Sequence, residues 1–467
     1  MISKLHKYID MYVVAVVGIL IVCAIYAGRT VTPGSMIEWL DKSQDLEFWV
    51  SSMTYPDRSV RNYASDNIVD KFPGDELGGI AIQMTSSDDP RERLIGLGLL
   101  GKTNLDNAGD YAINFLDSSD VKEINLALAI LVNDPHPQVR ERLLEILQGG
   151  ESSLELNALK ALGKLANPQD LSLYINYLPT PNVNLRDAAS EALIRMAPFS
   201  DQVVPSLLGS AFGSNLTSKR AAIHVLGEIG DESSLDSLFS LLITGDPALA
   251  TDVVKALGAI GGEETSRKAY DLFMSGDTRA RRGAARVLGE IGVPEAAGDL
   301  WAAVEDRTNE IFLRLNSMVA LARCGNQDIA VKILELLHDR SEDPRIVRSG
   351  IESLGGIQPD FLFDVYDSII RGDEDFGLNQ RGGNTALLSV AVGLGYVDSD
   401  ESRSRLRSFL DDNSVDRLEL LMGTVRSLGK VGTADDIAVL SAAKDELPLL
   451  TNVVDSAIRE IESRYST

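Results

Sequence analysis

An all-α solenoid of helical hairpins is the fold class this sequence predicts, on three observations. One Ala-rich motif recurs at steps of mostly 31 to 33 residues, aromatic residues are only 6% of a chain that is 44% hydrophobic, and strand signals are few. A chain of 467 residues exceeds one ordinary globular core, and the recurring motif favours a single repeat array over several unrelated domains.

Sliding the sequence against itself brings out Ala221-Ala222-Ile223-His224-Val225-Leu226-Gly227-Glu228-Ile229-Gly230 as the motif. With Leu226 as anchor, its equivalents are Ile68, Leu100, Leu131, Leu162, Leu193, Leu257, Leu288, Leu321, Leu354, Ala391, Leu428 and Ile458, which makes about thirteen units. A unit of this length holds two helices and two turns, a hairpin that cannot bury its apolar face alone, so neighbouring units must stack.

Each position of the unit carries its own chemistry. Four residues before the anchor a small side chain recurs (Ala64, Gly96, Ala127, Ala158, Ala189, Ala222, Ala284, Ser317, Gly350), one helical turn away on the same face, where it lets helices approach closely. Eleven before it stand Asp57, Asp89, Asp120, Asn182, Asn215, Asp246, Asp277 and Asp343, N-cap residues that open the second helix, with Pro90, Pro247 and Pro344 at first helical positions. Asp89 with Glu92, and Asp120 with Glu123, have capping-box spacing. Four after the anchor, Gly230, Gly261, Gly292, Gly325, Gly395 and Gly432 are expected to close the helix in the left-handed conformation. Seven before it, Arg61, Arg93, Arg186, Lys219, Arg281 and Arg314 are expected to pair with the cap aspartates or with loop carbonyls.

The order Asp-Pro, Arg, Ala-Ala-x-x-Leu-Gly-x-Ile-Gly, as in Arg281-Arg282-Gly283-Ala284-Ala285-Arg286-Val287-Leu288-Gly289-Glu290-Ile291-Gly292, resembles the HEAT-repeat family, in the version found in phycobilisome lyases. The resemblance covers about residues 43–465. It implies a right-handed superhelix with second helices on the concave face, and it does not imply lyase chemistry.

Ahead of the array, residues 12–27 are sixteen almost purely apolar positions, long enough at 1.5 Å per residue for roughly 24 Å. Lys4 and Lys7 precede them and Tyr8, Tyr12 and Tyr26 flank them, so a single transmembrane helix is expected, with a cytoplasmic N-terminus and an extracytoplasmic solenoid. A cleaved signal peptide, cut before Gly28, is the competing reading. The domain scheme is then 1–28 for tail and membrane helix, 29–42 for a linker and the start of a capping helix, and 43–467 for the solenoid. Met36, Ile37, Trp39, Leu40, Phe48 and Trp49 form the amphipathic stretch expected to cap its open end. Steps of 37 residues on either side of Ala391 place insertions near 371–384 and 398–403.

A formal charge of -25 argues against nucleic acid as partner. His6, His136, His224 and His338 lie outside metal-ligand spacing of one another, and no phosphate-binding loop or nucleophile elbow is present. No catalytic residue, metal site or cofactor is therefore expected. Cys23 and Cys324 are not a plausible disulfide pair. The acidic run Asp373, Glu374, Asp375 lacks the alternation of a calcium loop. The densest cationic cluster, with Arg279, Arg282 and Arg286 on one helix stripe, is the candidate partner-binding site. The function expected is a membrane-anchored scaffold or adaptor that binds proteins without catalysis. A structural subunit of a membrane or surface assembly and a phycobilin-lyase-like maturation factor stand as alternatives.

Overall fold

The computed structural model describes residues 32–103, 105–378, 384–411 and 417–465. The regular secondary structure of those residues is helical, in hairpins whose first and second helices pack together. Two compact units divide the chain, residues 1–203 and 204–467, with the division inside the helix Ser200–Ala211.

In the first unit the second helices are Arg58–Lys71, Pro90–Leu100, Val121–Asn133, Ser152–Lys164 and Val183–Arg195. In the second unit they are Leu216–Ile229, Ala250–Ile260, Thr278–Ile291, Ile311–Cys324, Pro344–Ile357, Thr385–Leu394, Leu418–Val431 and Thr451–Tyr465. Within the second unit each packs on the next, so the second helices make a continuous stack. The anchors Ile68 to Leu428 are at most 1% exposed, so the column read from the sequence is the spine of the core. Ile458 is only partly buried, since no described helix follows to cover it.

All eight cap residues do what their chemistry suggests, each accepting a backbone N–H at the start of a helix. The two capping boxes close through an intermediary. Ser87 Oγ donates to Glu92 Oε2 and accepts from Asp89 N, and Ser118 Oγ does the same between Glu123 and Asp120 N.

The glycines divide by physical cause, with Gly261 between the two groups: its φ of 58° is positive but its ψ of -148° lies outside the left-handed helical region. Gly230 and Gly292 are left-handed C-caps with φ of 72° and 79°, as expected. Gly325 and Gly432 end their helices in extended backbone and Gly395 in the right-handed region, so dihedral freedom is not their reason. Space is: a Cβ on Gly325 would stand 2.6 Å from Leu321 O and 2.7 Å from Ile357 Cδ1, and one on Gly395 2.6 Å from Ser427 Oγ. The closest approach between successive second helices falls at the glycine directly after the anchor. A Cβ there would stand 2.8 Å from Ala192 Cβ at Gly163, 2.7 Å from Ala256 Cα at Gly227 and 2.7 Å from Ala320 Cα at Gly289. The small residues four before the anchor instead face their own hairpin partner, as Gly350 does against Ile333 and Leu337.

Three of the six recurrent cations bind loop carbonyls rather than their own cap aspartates, and Arg281 and Arg314 bind carbonyls near the end of the preceding helix, Phe273 O and Val304 O. Arg61 donates to Tyr55 O and Pro56 O, Arg93 to Ser87 O and Asp88 O, and Arg186 to Thr180 O, all just before the second helix. Where a carboxylate is added it comes from the following repeat, Glu123 for Arg93 and Glu342 for Arg314. Asp436 is buried against Arg407 Nε at 2.6 Å and Thr433 N at 2.7 Å. Burial alone would raise its pKa, but those hydrogen bonds and the Arg407 charge outweigh it and hold the carboxyl below its usual value. A depressed folded pKa gives stability that is complete above the unfolded value near 4 and is lost as pH falls through the folded one. Asp436→Asn should therefore unfold at lower temperature than wild type at pH 7, and the gap should narrow below about pH 4, as thermal melts across pH will test.

Two expectations need correcting. Residues 12–27 lie outside the described residues, and no described helix is long and apolar enough to cross a membrane. A span needs about 20 apolar residues, whereas the last and longest described helix, Thr451–Tyr465, has 15 and is amphipathic. The transmembrane helix, the membrane as partner and the extracytoplasmic placement are thus unsupported, and the fold of the described residues is a helical array. The second insertion also lies elsewhere: Asp400 to Arg403 form the first turn of the helix Asp400–Phe409, capped by Ser399, so the extra residues are not there. The first falls as expected between the helices Leu362–Ile370 and Thr385–Leu394.

The amphipathic stretch at the start of the array forms Pro33–Lys42 and Leu46–Ser52, both packed on Arg58–Lys71. Met36, Leu40 and Trp49 are buried, and Trp49 lies between Tyr63 and Phe72, each 6.2 Å away, with the Lys71 ammonium 5.6 Å from its ring. Trp39 remains exposed.

Candidate protein-binding surface

The candidate cations lie on the helix Thr278–Ile291, which opens at the Asp277 cap and closes at Gly292. The structure separates them. Arg279 donates to Gly245 O at 2.7 Å, capping the end of a helix in the preceding repeat. Arg282 reaches Glu310 of the following repeat at 3.5 Å and lies 5.6 Å from the Phe312 ring. Arg286 is half-buried at the edge of a cleft, holds Thr251 Oγ1 at 2.9 Å and has no carboxylate within ion-pair distance among the described residues. Burial, with the like charge of Arg282, lowers its pKa.

Arg286 lines a cleft of about 300 Å³ in the second unit. Lys255, Arg323, Tyr396 and Lys430 join it there, brought from four other repeats by the stacking of second helices. Lys430 stands 5.5 Å from the Tyr396 ring. Arg323 is fixed by Glu290 O at 2.7 Å and lies 3.6 Å from the Glu290 carboxylate. Burial raises the Tyr396 hydroxyl pKa, helped by the neighbouring Glu352 carboxyl, so the ring stays neutral at physiological pH.

Sequence reasoning found Arg286 and missed its partners because it searched for charge along one helix. Lys255 and Arg286 stand two residues before their anchors, and Arg323 and Lys430 two after theirs. These two columns fall on the exposed face of the second helices, and following them down the repeats would have revealed the group.

The acidic insertion is occupied internally. Glu374 accepts from Arg340 at 2.9 Å and from the amides of Asp375 and Phe376, while Asp373 pairs with Arg371 at 2.8 Å. Among the described residues no group of three His, Cys, Asp or Glu side chains has the geometry to hold a metal ion. Cys324 is buried, its Sγ 3.3 Å from Leu288 O, and burial pushes its thiol up to about 11.

No family model and no curated protein matches the chain. Among solved structures, the karyopherin Kap121p bound to Ste12p aligns over 87% of this chain and 50% of its own length, at 13% identity and a TM-score of 0.45. Importin beta aligns over 86% of this chain and 64% of its own, at 14% identity and a TM-score of 0.38. An engineered protein aligns over 67% of this chain and 98% of its own, at 17% identity and a TM-score of 0.33. The chain thus spans about half the length of Kap121p.

Proposed function

We propose that this chain is a scaffold that binds another protein along the exposed face of its second helices. The supporting observation is the cleft around Arg286, whose side chains come from five different repeats. Stacked repeats hold such side chains at fixed spacing without a folded pocket of their own, which suits an extended partner surface better than a small substrate. The function requires no bound group and no catalytic step.

The test is crosslinked affinity capture of the full chain from its native cells, followed by co-purification and light scattering. A stoichiometric complex that survives size-exclusion chromatography is the expected result. Only sub-stoichiometric, variable co-purifying proteins, or a turnover activity of the chain alone, would remove the scaffold reading.

A further inference from the structure

Resting on that scaffold reading, we infer that the cleft of the second unit receives an acidic peptide segment of the partner, with carboxylates on Lys255, Arg286, Arg323 and Lys430 and an apolar side chain on Tyr396. The argument begins with charge. The chain carries 69 acidic residues against 44 Lys and Arg, so a cation has many carboxylates available to it. Most arginines of the array use them, as Arg93, Arg140, Arg314, Arg405 and Arg407 do across repeats. Lys255, Arg286 and Lys430 have no carboxylate within ion-pair distance among the described residues, and all three face the same cleft. The acidic groups beside it are Glu290, engaged with Arg323, and Glu352, held by Arg348 Nε at 2.8 Å. With Glu290 alone among the cleft's lining residues against Lys255, Arg286, Arg323 and Lys430, the cleft is a local field of opposite sign to the whole, and it favours anions that reach it individually.

Size and aromatic content narrow the class of anion. About 300 Å³ admits a few side chains and excludes a folded domain. The Tyr396 ring, 37% exposed, offers an apolar face beside the Lys430 ammonium, which suits a carboxylate next to an apolar residue. A nucleic acid would bring a long polyanion against a protein of charge -25. The chain's own acidic loop at Asp373 to Asp375 is already engaged by Arg340 and Arg371 and is not offered to a second copy.

The test is fluorescence anisotropy of the full chain with a short labelled peptide of Glu and Gly around a central Phe. Controls are the same peptide with Gln or Lys for Glu, and a labelled thymidine oligonucleotide. The Glu peptide should bind saturably, weaken with added salt, and lose about tenfold or more in affinity with the double variant K255E/R323E. Both side chains are exposed, so folding should survive, as circular dichroism will verify. R58E/R91E, at exposed helix starts of the first unit and outside both columns, should bind as wild type. Absent or variant-insensitive binding overturns the inference, and equal or tighter binding of the oligonucleotide overturns the choice of occupant. The affinity capture repeated with K255E/R323E separates the two readings: a retained stoichiometric partner refutes the cleft and leaves the scaffold, whereas no partner for wild type refutes the scaffold.

Discussion

Replacing Glu342 by Ala should destabilise the second unit by about 3–5 kcal/mol, the cost of leaving a buried guanidinium without its counter-ion. Arg314 and Glu342 are 5% and 8% exposed, so neither charge can turn to water when its partner is lost. The pair is bidentate, with Arg314 Nη1 and Nη2 donating to the two carboxylate oxygens at 3.0 and 2.8 Å. Arg314 Nε also donates to Val304 O at 2.7 Å, and Glu342 Oε1 accepts from Asp343 N at 2.7 Å. Burial by itself would raise the Glu342 pKa, yet the hydrogen bonds from Arg314 and the Asp343 amide hold it below the usual carboxylate value. Glu342 immediately precedes the cap of Pro344–Ile357, while Arg314 belongs to Ile311–Cys324, so the pair joins two repeats. Stability in a stacked array is largely a sum of such neighbour interfaces. Hydrogen exchange should therefore show lost protection in those two helices first, with repeats of the first unit unchanged. The double variant Arg314→Met/Glu342→Leu should recover much of the loss, because it removes both buried charges together. Equal damage from the single and double variants would show that packing, not charge, governs the site.

This pair also shows which parts of the structure were legible in the sequence. The position of Arg314 recurs with the repeat, and so does its use of a backbone carbonyl of its own hairpin, here in the last turn of the helix Ala297–Glu305, because both are set within one hairpin. Its carboxylate is not periodic. Glu123 stands eight residues before its anchor and Glu342 twelve before its own, so no column exposes them as partners of Arg93 and Arg314. The cleft was obscured for a different reason: its cations are split between two columns, which a search for charge along one helix does not follow, and Tyr396 belongs to neither. The caps were fully legible, because an Asp or Asn before a helix acts on its own next two or three amides. The apolar segment 12–27 read as a short span from its hydropathy and flanking residues; it lies outside the described residues, and no described helix is long and apolar enough to cross a membrane.

Glycine to alanine substitutions should change sign according to which face of a helix carries them. Gly355 follows the anchor Leu354, where successive second helices come closest. A Cβ there would stand 2.5 Å from the carbonyl carbon of Gly393 and 2.7 Å from its Cα, and backbone cannot yield as a flexible side chain does. Gly393 cannot retreat, because it is itself packed under the Tyr366 hydroxyl, which donates to Ile351 O at 2.8 Å. Gly355→Ala should then force the helices Pro344–Ile357 and Thr385–Leu394 apart and cost about 3 kcal/mol. Gly298, in the helix Ala297–Glu305, has nothing within 4 Å of a built Cβ and faces solvent. There alanine removes only the entropic disadvantage of glycine and should stabilise by about 0.5–1 kcal/mol. Urea denaturation of the two variants beside wild type measures both signs. A Gly355→Ala chain as stable as wild type would mean that the repeats can slide apart freely, and the spacing of the Arg286 cleft would then not be fixed by the stack.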